Sequence, residues 1–170
     1  MRAMSGRLLA KCIGIIGVAT VAPLVSAGSA QADTPDAVFF RYGDVNCSIT
    51  RAGVVGCDLG DNVSYVSQRI PALDSGSAPE FNLPYPFKVR EVVIDSPALP
   101  AHPTLGPGTS HTLPGGNPDW YSVSQERGPM SHQLDFGGAT CSSIEFHTGR
   151  FGCSINGHSI EFGEGQVLLS

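Results

Sequence analysis

Four cysteines and five histidines carry most of the chemistry open to this sequence. Cys47, Cys57, Cys141 and Cys153 are an even set in a chain whose start reads as an export signal, which predicts two disulfides. None has the C-x-x-C spacing that redox and zinc sites use, so all four read as structural staples. The histidines are His102, His111, His132, His147 and His158, and no two are spaced i,i+2 or i,i+4 as paired ligands. His147 falls at a hairpin tip, while His102 and His111 fall in a proline-rich insert, so all three are expected in solvent. His132 and His158 fall on core-facing sides of predicted strands and form the speculative polar site. A core histidine is usually satisfied by a backbone group, and the sharper alternative is a general base.

The remaining motifs are less specific. Asp74-Ser75-Gly76-Ser77 resembles the catalytic turn of aspartic proteases, whose mechanism needs two carboxylates sharing one proton. Here it follows Pro71-Ala72 inside a glycine-serine-proline segment, and an ordinary turn explains it better. No G-x-S-x-G marks a nucleophile. Asp58, Asp61 and Asn62 could offer oxygens to calcium, but their spacing matches no EF-hand loop and predicts a solvated turn. Asn46-Cys-Ser and Asn62-Val-Ser match the glycosylation sequon, which matters only in a host with that machinery. The sequence therefore predicts no catalytic residue, no metal and no cofactor.

Arg2, Arg7 and Lys11 precede a short apolar run over residues 12–25, and Ala30-Gln31-Ala32 supplies a signal-peptidase site. Residues 1–32 are expected to be a removed signal, with cleavage between Ala32 and Asp33. Cys12 follows Lys11 and not a lipobox, so it leaves with the signal. The run is too short to span a bilayer, so no stable membrane insertion is expected. Residues 33–170 then form one secreted domain with seven basic against fifteen acidic residues, a formal net charge of −8. Nucleic-acid binding rests on basic patches, and none is visible.

The elements that position these residues read as strands. If Cys47 faces Cys57, then Ile49 faces Val55, Val45 faces Leu59, and the turn is Arg51-Ala52-Gly53. Asp44, Asn46, Ser48, Thr50 and Asp58 fall on the opposite, polar face. A further strand is predicted within Asp61 to Ile70. Residues 71–118 form an irregular proline- and glycine-rich insert, interrupted by a strand over Phe87 to Ile94. Segments of this kind carry function or are mobile. Trp120 to Gln125 and Met130 to Phe136 read as strands. Cys141 against Cys153 in strict register would bury Ser143 and expose Ile144, so a β-bulge at Ser142-Ser143 is predicted instead. Asn156-Gly157 makes the next turn, collecting Phe151, Cys153, Ile155, His158, Ile160 and Phe162 on one face. Gln166 to Leu169 reads as a last edge strand. The predicted fold class is all-β, a small antiparallel sandwich or barrel-like domain with two disulfide-braced hairpins, Cys47–Cys57 and Cys141–Cys153.

Two blocks, residues 39–59 with Asn46-Cys47-Ser-Ile and Gly56-Cys57-Asp58, and residues 141–162 with Gly-Cys153-Ser-Ile-Asn-Gly-His158, resemble a group of small exported actinobacterial proteins of unknown function. Many members carry a further cysteine pair in the middle, which this sequence lacks. The resemblance implies secretion and a β fold. The expected function is a secreted or cell-envelope-associated, non-enzymatic binding domain that engages its partner through the proline-rich insert and loop tips. Its partner would be an unknown protein or envelope component, and the chain a monomer. A small secreted hydrolase using His132 or His158, and a protease inhibitor presenting a braced loop, are the alternatives.

Overall fold

The computed structural model describes residues 35–70, 81–145 and 149–170. Among these the chain forms β1 (Ala37–Tyr42), β2 (Val45–Thr50), β3 (Val55–Asp58), β4 (Tyr65–Ile70), β5 (Phe81–Pro84), β6 (Glu91–Ile94) and β7 (His102–Pro103). A single helical turn, α1 (Trp120–Val123), leads into β8 (Gln125–Gly128), β9 (Ser131–Phe136), β10 (Ala139–Ile144), β11 (Arg150–Ile155), β12 (His158–Gly163) and β13 (Gln166–Leu169). The fold is all-β and both predicted disulfides form, Cys47–Cys57 and Cys141–Cys153.

Alternation along β2 and β3 sets the first sheet. Cys47 lies opposite Cys57 and Ile49 opposite Val55. Gly53 takes φ +85 in the turn, a conformation that glycine reaches without steric cost. The sheet order is β1-β2-β3-β6-β7, so the insert supplies two of its strands. The second sheet runs β5-β4-β13-β12-β11-β10-β9-β8. Asn156-Gly157 turns β11 into β12 in the expected register, with Ile155 opposite His158 and Cys153 opposite Ile160. Among the described strands all pairings are antiparallel except β13 with β4, which is parallel. The last strand is thus interior and not an edge, because β4 returns alongside it.

Both inner faces meet in one apolar core that contains both disulfides, with Phe40, Ile49, Val55 and Val92 from one sheet and Phe151, Ile160, Val167 and Leu169 from the other. Trp120 sits at the junction, fully buried, its ring 5.1 Å from Phe40 and 5.1 Å from Phe151. Two expectations change around it. Trp120 does not start a strand: Asp119 caps α1 by accepting from the Tyr121 N–H, as N-cap aspartates do. Nor does the bulge form. Cys141 pairs with Cys153 and Ser143 with Phe151 in strict register, leaving Ile144 exposed. Ser143 is completely buried because its Oγ accepts the indole N–H of Trp120 at 2.8 Å. The strand predicted over Phe87 to Ile94 shortens to β6, with Phe87 exposed ahead of it.

Ser143→Ala would strand a buried indole donor, which costs about 1–3 kcal/mol. Ser142→Ala, on the exposed face of the same strand, should stay within about 0.5 kcal/mol of the parent. Equilibrium denaturation of the two variants measures the difference.

Candidate functional site

The polar face of the first hairpin is covered in its middle, over Ser48 and Asp58, while Asp44 stays exposed. Residues 104–117 of the insert close over that middle, and Ser48 and Asp58 are buried to 5% and 3% exposure. Asn117 fastens the segment. Its Oδ1 accepts from the Leu113 N–H at 2.8 Å, and its Nδ2 donates to the carbonyls of Phe40, Cys47 and His111 at 3.1, 3.2 and 2.8 Å. Three backbone oxygens of strand, strand and insert are thereby tied to one amide.

Beneath this cover Asp58 of β3 and Glu91 of β6 are direct cross-strand partners. His111 of the insert descends between them and Ser48. Each group is held by hydroxyls or backbone. The Asp58 Oδ2 accepts from the His111 backbone N–H at 2.8 Å and the Thr112 hydroxyl at 2.6 Å. Glu91 accepts from Thr104 at Oε1 and Ser110 at Oε2, both at 2.6 Å. His111 Nδ1 lies 2.8 Å from Ser48 Oγ. Its Nε2 stands 4.0 Å from Glu91 Oε1, beyond hydrogen-bond reach. Two glycines make the space. A Cβ on Gly56 would sit 2.0 Å from the imidazole, and one on Gly106 would sit 2.3 Å from the Glu91 carboxylate.

Burial alone would raise the Glu91 carboxyl. Hydrogen bonds from Ser110, Thr104 and the Gly108 backbone, with the electrostatic influence of the His111 ring, more than offset it and hold the group below the ordinary carboxylate range. Glu91 is therefore an anion at neutral pH, inside the fold.

His111 was expected in solvent and Asp58 in a solvated turn, and both are instead walled in. The signal lay in Gly56, since a glycine inside a strand often marks a close approach. Asp61 remains exposed and pairs with Lys88 at 2.9 Å, and Asn62 donates to Asp44, so neither joins Asp58. His132 and His158 are held on β9 and β12, with β10 and β11 between them. His132 Nδ1 lies 3.3 Å from Ser124 Oγ, and its ring meets Tyr121 edge-on at 4.9 Å. His158 Nε2 donates to the Pro97 carbonyl at 3.3 Å. His102 lies 3.2 Å from Asp95 at the surface. The Asp74 turn and His147 lie outside the described residues.

A second feature crosses the outer face of the larger sheet, a groove of about 520 Å³. Small residues on the outward side of β10, β11 and β12, among them Ser142, Gly152 and Ser154, make its floor, and Arg69, Arg150 and Glu161 line it. Arg69 reaches Glu161 at 3.5 Å.

No protein-family model, curated protein or solved structure matches this chain.

Gly56→Ala forces the imidazole off its seat, and overpacking of this kind costs about 1–3 kcal/mol. Amide exchange should rise over residues 104–117 while the Cys141–Cys153 hairpin stays protected. Glu91 also sets a pH dependence. Unfolded, it takes up its proton at higher pH than in the fold, so its contribution is complete above the ordinary carboxylate range. That contribution is lost as pH falls through the lowered native value, below about pH 5. Glu91→Gln should flatten this acid limb of the denaturation midpoint, whereas Glu126→Gln, on the exposed side of β8, should not.

Proposed function

We propose that this protein is a secreted or cell-envelope-associated, non-enzymatic binding domain whose ligand lies in the groove across the larger sheet. The observation that carries the reading is the groove itself. Its floor is kept low by small residues, and hydroxyls line it together with Arg69, Arg150, Glu161 and Glu164. That lining, polar and of balanced charge, suits a polar protein segment or envelope component. Two disulfides in a chain of this size favour an oxidising compartment. Among the described residues no helix is long and apolar enough to cross a membrane.

The histidines do not favour catalysis as strongly. His158 is spent on a backbone carbonyl and His132 on the Ser124 hydroxyl. The first braced hairpin makes a poor inhibitor loop, because its tip is pressed against Gly137, where an added Cβ would lie 2.1 Å from the Thr50 carbonyl.

Ser154→Trp fills the groove from an exposed position and should leave the melting temperature unchanged. Binding of the purified protein to isolated envelope fractions should fall at least tenfold. Thr109→Trp, in the insert, serves as the control. Equal binding by both variants would remove the groove from the account.

A further inference from the structure

Asp58 and His111 share a peculiarity that hydrogen bonding does not explain. Asp58 Oδ1 and His111 Nε2 are both shut off from solvent and have no hydrogen-bond partner. Orphaned buried polar atoms are rare in native folds and call for a specific cause. Here both orphans belong to one cluster, in which a donor atom from each of Asp58, Glu91 and His111 lies within 4.8 Å of the others.

We propose that Asp58, Glu91 and His111 bind a divalent transition-metal ion of the zinc class, a site separate from the groove and independent of its function. Charge fits, since two carboxylates and a neutral imidazole exactly balance a dication apart from outer ligands. Distance is close to what the ion needs. Tetrahedral zinc holds oxygen and nitrogen at about 2.0–2.2 Å, so two donors on one ion stand about 3.3–3.6 Å apart. His111 Nε2 and Glu91 Oε1 stand at 4.0 Å and the three donors lie within 4.8 Å of one another, so the side chains close in by about an ångström when the ion binds. Imidazole with only two carboxylates disfavours calcium, which takes six to eight oxygens, and favours zinc.

The surroundings are those of a built site. When Nδ1 carries the proton and donates to Ser48 Oγ, Nε2 presents its lone pair toward the carboxylates. This is the outer-shell bond that ligating histidines make. Thr112 and the His111 N–H occupy only Oδ2 of Asp58, leaving Oδ1 for the ion. Thr104 and Ser110 orient Glu91 in the same way. Gly56 and Gly106 hold open the space the three side chains share. The ion would bridge β3, β6 and the insert, fixing residues 104–117 to the sheet.

The test uses the full chain with disulfides intact, stripped with a chelator and titrated with zinc chloride by calorimetry. One ion per chain is expected. In the unaltered protein, zinc should shift the Nε2 resonance of His111 and leave His102, His132 and His158 in place. Ser48→Ala should weaken binding about 10–100-fold. Asp58→Asn should weaken it at least as much, and Asp61→Asn should bind like the parent. If Asp58→Asn fails to fold by circular dichroism, the ring-nitrogen shift in the unaltered protein decides alone. Zinc that leaves His111 unmoved, or that binds folded Asp58→Asn as tightly as the parent, overturns the site and shows the cluster to be only a polar latch.

Discussion

The hydrogen bond from the Trp120 indole to Ser143 governs more of this structure than any other single contact. An indole fully buried between two sheets must find an acceptor, because leaving the N–H bare in a low-dielectric core costs more than the bond itself returns. Ser143 supplies that acceptor only if β10 pairs with β11 in strict register. With Ser143 turned inward, period-two alternation turns Ser142 and Ile144 outward. The small outer residues of the groove are thus a consequence of satisfying a tryptophan on the other side of the sheet. Phe40 and Phe151, each 5.1 Å from the indole and 5.8 Å from each other, carry that constraint into both sheets.

The insert obeys a similar rule. It crosses a strand face rich in polar groups and packs there by answering most of them. Asn117 does so for backbone carbonyls of β1 and β2, and Thr104, Ser110 and Thr112 do so for carboxylates. Hydroxyls suit this work, being small and free to rotate toward an acceptor. Residues 104–117, which lack helical or strand period, are therefore ordered largely by side-chain bonds and not by a backbone ladder.

This explains which features were legible in the sequence. The Cys47–Cys57 register, the Gly53 turn and the Asn156-Gly157 turn depend on neighbours within a dozen residues, and alternation with turn chemistry is enough to read them. Ser143 was misread because its partner is Trp120, a residue on a different element, and a buried serine looks wrong until that donor is placed. The Asp58 cluster was hidden for a second reason. A polar strand face looks the same whether water or a hydroxyl-bearing loop covers it, and Glu91 becomes its neighbour only once β3 and β6 are known to pair. The parallel return of β4 beside β13 joins residues a hundred positions apart and has no local signature at all.

Opposed carboxylates sharpen the last point. Like charges directly across a strand pair are destabilising, and Asp58 and Glu91 face each other at low exposure. A fold can tolerate this by protonating one acid or by surrounding both with donors. Glu91 does not take the first route, since its carboxyl is held below the usual range by Ser110 and Thr104 with help from His111. Donors answer both Glu91 oxygens, but at Asp58 they answer only one oxygen, and the imidazole nearby leaves its own nitrogen unused. A cluster selected for stability alone would be simpler as packed apolar residues, which commonly match or exceed buried charges in stability. Retaining two acids and an imidazole, with two glycines clearing room for them, is the pattern of a site organised to receive a positive charge.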